Sequence, residues 1–178
     1  MSPILGIYAS QISGHLSTNN FSSIATVTVG SGGASSISFT SIPSTYTHLQ
    51  IRSFAQQASS GGYVSVTFDN ATFAYRHYIY GDGTAVSAGA DITNAPGIFS
   101  AAATSSTFSG SVFDILDYTS TVKNKVTRSL GGGDNNGGGA IFFISGLFTS
   151  SSPITSITLT PISNNFTQYS SFALYGIR

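Results

Sequence analysis

Tyr63-Val64-Ser65-Val66-Thr67-Phe68 sets Val64, Val66 and Phe68 against Tyr63, Ser65 and Thr67. Successive side chains of a strand point to opposite faces, so this stretch has one dry side and one wet side. A helix would need apolar residues three and four apart, and no window of ten or more residues carries such a stripe. Outward from this segment the same alternation returns. Residues 49–55 set Leu49 and Ile51 against Gln50 and Arg52, residues 24–29 read I-A-T-V-T-V, and residues 36–40 read S-I-S-F-T. The Gly-rich residues 30–34 between the last two predict a hairpin. Further strands are expected over residues 73–80, 98–101, 107–118, 122–129, 140–148, 154–160 and 171–177. Turn formers separate them, among them Gly81-Asp82-Gly83 and a nine-residue tip over residues 131–139 that reads G-G-G-D-N-N-G-G-G. Many short strands without helices predict an all-β, antiparallel β-sandwich, jelly-roll-like.

Charge is scarce and unevenly placed. Only 7% of the 178 residues are charged, against about a quarter in average soluble domains. None precedes Arg52, none lies between Asp134 and Arg178, and Glu is absent. Serines (32) and threonines (20) hydrate the surface, but they supply none of the repulsion that keeps molecules apart. This composition suits a component of a larger assembly. The length fits a single domain, and 13 Phe with 9 Tyr exclude a disordered chain. Zero net charge argues against nucleic-acid binding, which rests on neutralising phosphates. No apolar run is long enough for a membrane span. Lys123, Lys125 and Arg128 form the single basic cluster, read as a solvated strand face.

Residues 1–20 differ from the remainder. Ile4, Leu5, Ile7, Tyr8, Ile12 and Leu16 are apolar without a clean period, which predicts an extended arm ahead of a sandwich over residues 21–178. Such an arm buries its side chains on its own domain or on a neighbour.

Reactive groups are few. Asp114 and Asp117 are the close acid pair, but strand residues three apart face opposite ways and do not share a substrate as general acid and base. One is expected at a sheet edge and the other at a turn. His15, His48 and His77 show no ligand spacing and there is no Cys, so no metal centre is expected. Asp134-Asn135-Asn136 and Gly81-Asp82-Gly83 offer oxygens of the kind Ca²⁺ accepts, yet each holds one carboxylate where strong sites use several. The Gly-rich tip lacks the Gly-Lys-Ser/Thr ending of a phosphate loop, no Gly-x-Ser-x-Gly elbow occurs, and no cofactor is expected. Aromatics supply the remaining candidate surface. Period two over residues 73–80 puts Phe73, Tyr75, His77 and Ile79 on one face and Arg76, Tyr78 and Tyr80 on the other. The second set would stack on a sugar or pack against another sheet or subunit.

Ser2-Pro3-Ile4-Leu5-Gly6-Ile7-Tyr8-Ala9-Ser10, the run over residues 24–29 leading into Ile37-Ser38-Phe39-Thr40-Ser41-Ile42-Pro43-Ser44-Thr45-Tyr46-Thr47-His48-Leu49-Gln50-Ile51-Arg52, and the ending Phe172-Ala173-Leu174-Tyr175-Gly176-Ile177-Arg178 resemble structural proteins of tailed bacteriophages. The resemblance implies a virion component with a β-sandwich or jelly-roll core and no active-site residues. The leading expectation is a capsid decoration or cement protein. It would bind the major capsid protein, form a homo-oligomer with a trimer favoured, and use residues 1–20 as its anchor. The runner-up is the receptor-binding head of a tail fibre or spike, reading host glycan through Arg76, Tyr78 and Tyr80.

Overall fold

In a computed structural model the described residues are 20–59, 62–69, 71, 75–91, 98–102, 107–134 and 138–178. They form twelve strands and no helix: β1 (Phe21–Thr28), β2 (Ile37–Phe39), β3 (His48–Gln57), β4 (Gly62–Phe68), β5 (Tyr75–Gly81), β6 (Val86–Asp91), β7 (Ile98–Ala102), β8 (Ser109–Leu116), β9 (Lys125–Asp134), β10 (Gly139–Phe148), β11 (Ile157–Pro161) and β12 (Ser171–Ile177). Eight make one antiparallel sheet in the order β1-β12-β3-β8-β9-β10-β5-β6. The other four make a smaller antiparallel sheet, β2-β11-β4-β7. Among the described residues the single parallel contact joins β7 to the end of β3, where Gln56 and Gln57 pair with Ala101 and Ala102. The all-β antiparallel sandwich expected from the alternation is what the chain forms.

The core lies between the sheets. Leu49 and Ile51 of β3, Phe113 and Ile115 of β8, and Phe172 and Leu174 of β12 meet Val64, Val66 and Phe68 of β4 and Ile157 and Leu159 of β11, all fully buried. Phe68 sets its ring edge against Phe148 at 5.2 Å, an arrangement the ring quadrupoles favour.

Side chains close the sandwich ends. Asp69, at φ 47° just after β4, accepts from the amides and hydroxyls of Thr155 and Ser156 at 2.7–3.2 Å and so fixes the approach to β11. Buried Tyr118 donates its hydroxyl to the Pro43 carbonyl, and burial raises its pKa. Gly176 lies beneath the Tyr46 ring, where an added Cβ would come within 2.3 Å of ring carbons. Gly176→Ala is therefore expected to push Tyr46 off the sheet and cost about 1–3 kcal/mol, the usual penalty of overpacking, read from urea unfolding.

Several local expectations are corrected. The hairpin over residues 24–40 does not form, because β1 pairs with β12 in the large sheet while β2 pairs with β11 in the small one. Gly33, at φ 70°, turns the chain, and Ala34 then bridges to Phe166. The flanks of the nine-residue tip are strand: Gly131, Gly132 and Gly133 pair with Phe142, Ile141 and Ala140. The basic cluster is a solvated face in part, with Lys123 and Arg128 exposed. Lys125 is fully buried, whereas the strand expected from residue 122 begins only at this lysine. Asp114 sits mid-sheet on β8 between β3 and β9, away from any edge.

Candidate interaction surface

Register makes the outer face of the eight-stranded sheet a set of parallel rows. The strands align so that Arg52, Val112, Leu130, Phe143, Ile79 and Ala88 are successive partners from β3 to β6. Beside them runs Phe54, Gly110, Gly132, Ile141, Gly81 and Val86. On the other side lies a polar row, Gln50, Asp114, Arg128, Ser145 and His77. Beyond it Leu116, Val126, Leu147 and Tyr75 align again.

The Leu130 row is apolar from β8 onward and open to solvent. Val112, Leu130, Phe143, Ile79 and Ile141 of the adjacent row are each between 38% and 60% exposed. The glycines in the second row make its floor low, and a shallow groove of about 580 Å³ runs there between Arg52, Val112, Leu130 and Ile141. Further along, Ile79, Ala88, His77 and Phe143 bound a second hollow of about 490 Å³. A contiguous apolar face is what soluble monomers avoid.

The polar row is internally neutralised. Asp114 accepts from Gln50 Nε2 at 2.7 Å and Arg128 Nε at 2.8 Å. Arg52 donates to Gln50 Oε1 at 2.9 Å and lies over the rings of Phe21 and Tyr175. Asp117, at φ 50° in the turn after β8, pairs with Lys123 at 2.8 Å. That hydrogen bond holds its carboxyl below the usual range. The Asp117 amide donates to His48 Nδ1 at 2.9 Å. Both acids thus hold neighbouring elements together, and His77 stands exposed at the far end of the polar row.

The alternation of residues 75–80 holds, with burial on the Arg76 side. Arg76 is buried, with its guanidinium over the rings of Tyr63 and Tyr78 at 4.6 and 5.2 Å. Tyr80 stacks on Phe142 at 5.3 Å. Tyr63 belongs to the smaller sheet, so these rings pack across the sandwich, while Tyr75, His77 and Ile79 face out. Ile4, Leu5, Ile7, Tyr8, Ile12 and Leu16 lie outside the described residues, as do Phe73, Asn135 and Asn136.

Pairing of β10 with β5 brings the two candidate cation turns together. Asp82 and Asp134 line one open cleft of about 470 Å³. Asp82 Oδ1 is engaged by the Thr84 amide and hydroxyl and by the Ala85 amide at 2.8–2.9 Å. These bonds, that from Ala85 foremost, lower its pKa to about 2. No group of three or more metal-ligating side chains occurs among the described residues. A carboxylate with a depressed pKa contributes stability above its unfolded value of 3.8 that is lost as pH falls through about 2. An NMR titration should therefore find Asp82 ionised at pH 3, and a midpoint near 4 would show the turn open.

The sequence signals the contribution of one strand, β10, to the exposed rows. Ile141-Phe142-Phe143-Ile144 is apolar on both faces of a strand, which a sandwich with a solvated outer side does not require. Comparisons with protein-family models, curated proteins and solved structures found no match for this chain.

Proposed function

We propose that this chain is a non-enzymatic structural subunit of a larger assembly. The observation that carries the reading is an exposed apolar sheet face on a chain with no net charge. Such a face is stable in water when a partner covers it, and the near absence of like charges removes the main barrier to close packing. The engagement of Asp114 and Asp117 in hydrogen bonds between strands and turns supports a structural role for both acids.

The sequence resemblance supplies the setting: a tailed-phage virion, with the protein as a capsid decoration or cement subunit that clamps major capsid protein neighbours. A homotrimer is the favoured form, and residues 1–20 serve as the attachment arm. The packing of Arg76, Tyr78 and Tyr80 into the sandwich supports a fold role for these rings in place of glycan stacking. Light scattering on the purified protein tests the reading. An oligomer is expected, and a monodisperse monomer at high concentration would overturn it.

A further inference from the structure

We infer that β6 of one copy pairs antiparallel with β6 of a second copy about a two-fold axis at Ala88, a reading that rests on the assembly role above and names one contact within it. β6 ends the eight-stranded sheet, and among the described residues no strand lies on its far side. The turn before it shows which of its groups face outward. The Asp82 amide donates to the Ala85 carbonyl at 3.2 Å, so these two residues are a hydrogen-bonded pair. Bonded and non-bonded pairs alternate along an antiparallel ladder, which makes Gly81 with Val86, Ile79 with Ala88 and His77 with Ala90 the non-bonded ones. Val86, Ala88 and Ala90 therefore aim their amides and carbonyls away from β5, and no described strand receives them.

Exposed edges are commonly guarded by a bulge, a charge, a proline or short length. β1, at the opposite edge of the large sheet, is bulged between Ser23 and Ala25, and β2, at the edge of the smaller one, has three residues. β6 has six in unbroken register, no proline, and Asp91 at its end as the sole charge. A two-fold at Ala88 sets Ala88 opposite Ala88 of the second copy and Val86 opposite Ala90. All three outward residues then exchange two bonds with their partners, and the largest side chain meets a small one. Asp91 falls opposite Ala85, so no like charges meet. Centring on Val86 would set Ala90 against the turn at Asp82, and centring on Ala90 would carry Val86 past the end of β6. The Leu130 row favours the same occupant. It stops at Arg52 on β3 but runs out to Ala88 on β6, where pairing continues it onto Ala88 and Ile79 of the second copy. Such a contact joins copies two by two and links neighbouring trimers, leaving attachment to the capsid to residues 1–20.

The chain has no native cysteine, and residues of a bonded pair lie about 5.5 Å apart at Cα, within disulfide range. Mildly oxidised Ala88→Cys protein should give a disulfide dimer in a yield about tenfold above that of Val122→Cys, the effect of a raised local concentration. Val122 is 85% exposed and lies outside the strands, so equal yields would overturn the inference. Ala90→Cys reads the register, because its two copies would stand four residues apart along the ladder, about 13 Å. Alone it should stay at the Val122→Cys level, and mixed with affinity-tagged Val86→Cys it should give a tagged–untagged dimer. A strong Ala90→Cys homodimer would overturn the two-fold at Ala88. If Ala88→Cys loses the β spectrum, the Val86→Cys and Ala90→Cys mixture takes its place. An oligomeric wild type without these links, its β6 edge covered by another part of the chain or by a different protein, removes this inference alone. A monomeric wild type removes the assembly reading as well.

Discussion

Replacing Lys125 with Met is expected to cost about 3 kcal/mol, since three carbonyls lose bonds from a charged donor worth about 1.5–3 kcal/mol each and water reaching these partly buried groups returns part of that. Lys125 opens β9 with its side chain turned into the sandwich end, fully buried. Its ammonium donates to the carbonyls of Ser120 at 2.6 Å and of Lys123 and Ser150 at 3.3 Å. Three donors meet three acceptors, which is the full capacity of an ammonium. The lysine thus joins the turn after β8 to the loop after β10 without a carboxylate. Met keeps a stem of similar volume and removes the donors. For a domain of this size the loss corresponds to a melting temperature lower by about 6–12 °C. Burial lowers the Lys125 pKa from 10.5. The folded state therefore binds this proton less tightly than the unfolded chain, and the contribution of Lys125 rises with pH as 10.5 is approached. The gap between wild type and variant should widen in that alkaline window, and a pH-independent gap would contradict the burial.

Deleting residues 2–18 should leave a folded sandwich and abolish assembly. Among the described residues the first strand begins at Phe21, and the core already joins both sheets. Melting should stay close to that of the full chain, lowered only by what association adds through mass action. Incorporation into particles should fall by orders of magnitude, because several apolar side chains at about 1.5–3 kcal/mol each are lost per copy. If the truncated chain unfolds, residues 2–18 belong to the core and the arm reading is wrong. If it folds and still decorates particles at full occupancy, attachment lies elsewhere.

The sandwich class was legible from alternation because one face of β3, β4 and β8 is buried and the other is not. Partners were not. Residues 30–34 signal a turn, but turn chemistry does not say which sheet receives the next strand. β6 went unread because V-S-A-G-A-D offers little contrast between faces, and its glycine serves the Tyr78 hydroxyl, which an added Cβ at Gly89 would meet at 2.6 Å. Gly131 looks like loop, yet it pairs within the sheet where an added Cβ would meet Ser111 Oγ at 2.1 Å. Lys125 misled because a charge is normally a surface residue, and only the fold brings three carbonyls to it. The outer rows depend on register across several strands, information that no single segment holds.

The apolar rows also fix how association should respond to its surroundings. Contacts made from Val112, Leu130, Phe143 and Ile79 carry almost no Coulomb energy, so raising sodium chloride should barely loosen the assembly. Cooling should loosen it, because the driving force is hydration entropy and weakens toward 0 °C. The particle-bound state would then be cold-labile and strengthened by sulfate, the opposite of an assembly held by ion pairs. Sedimentation at 4 °C and 30 °C would show this as a reversible shift in mass.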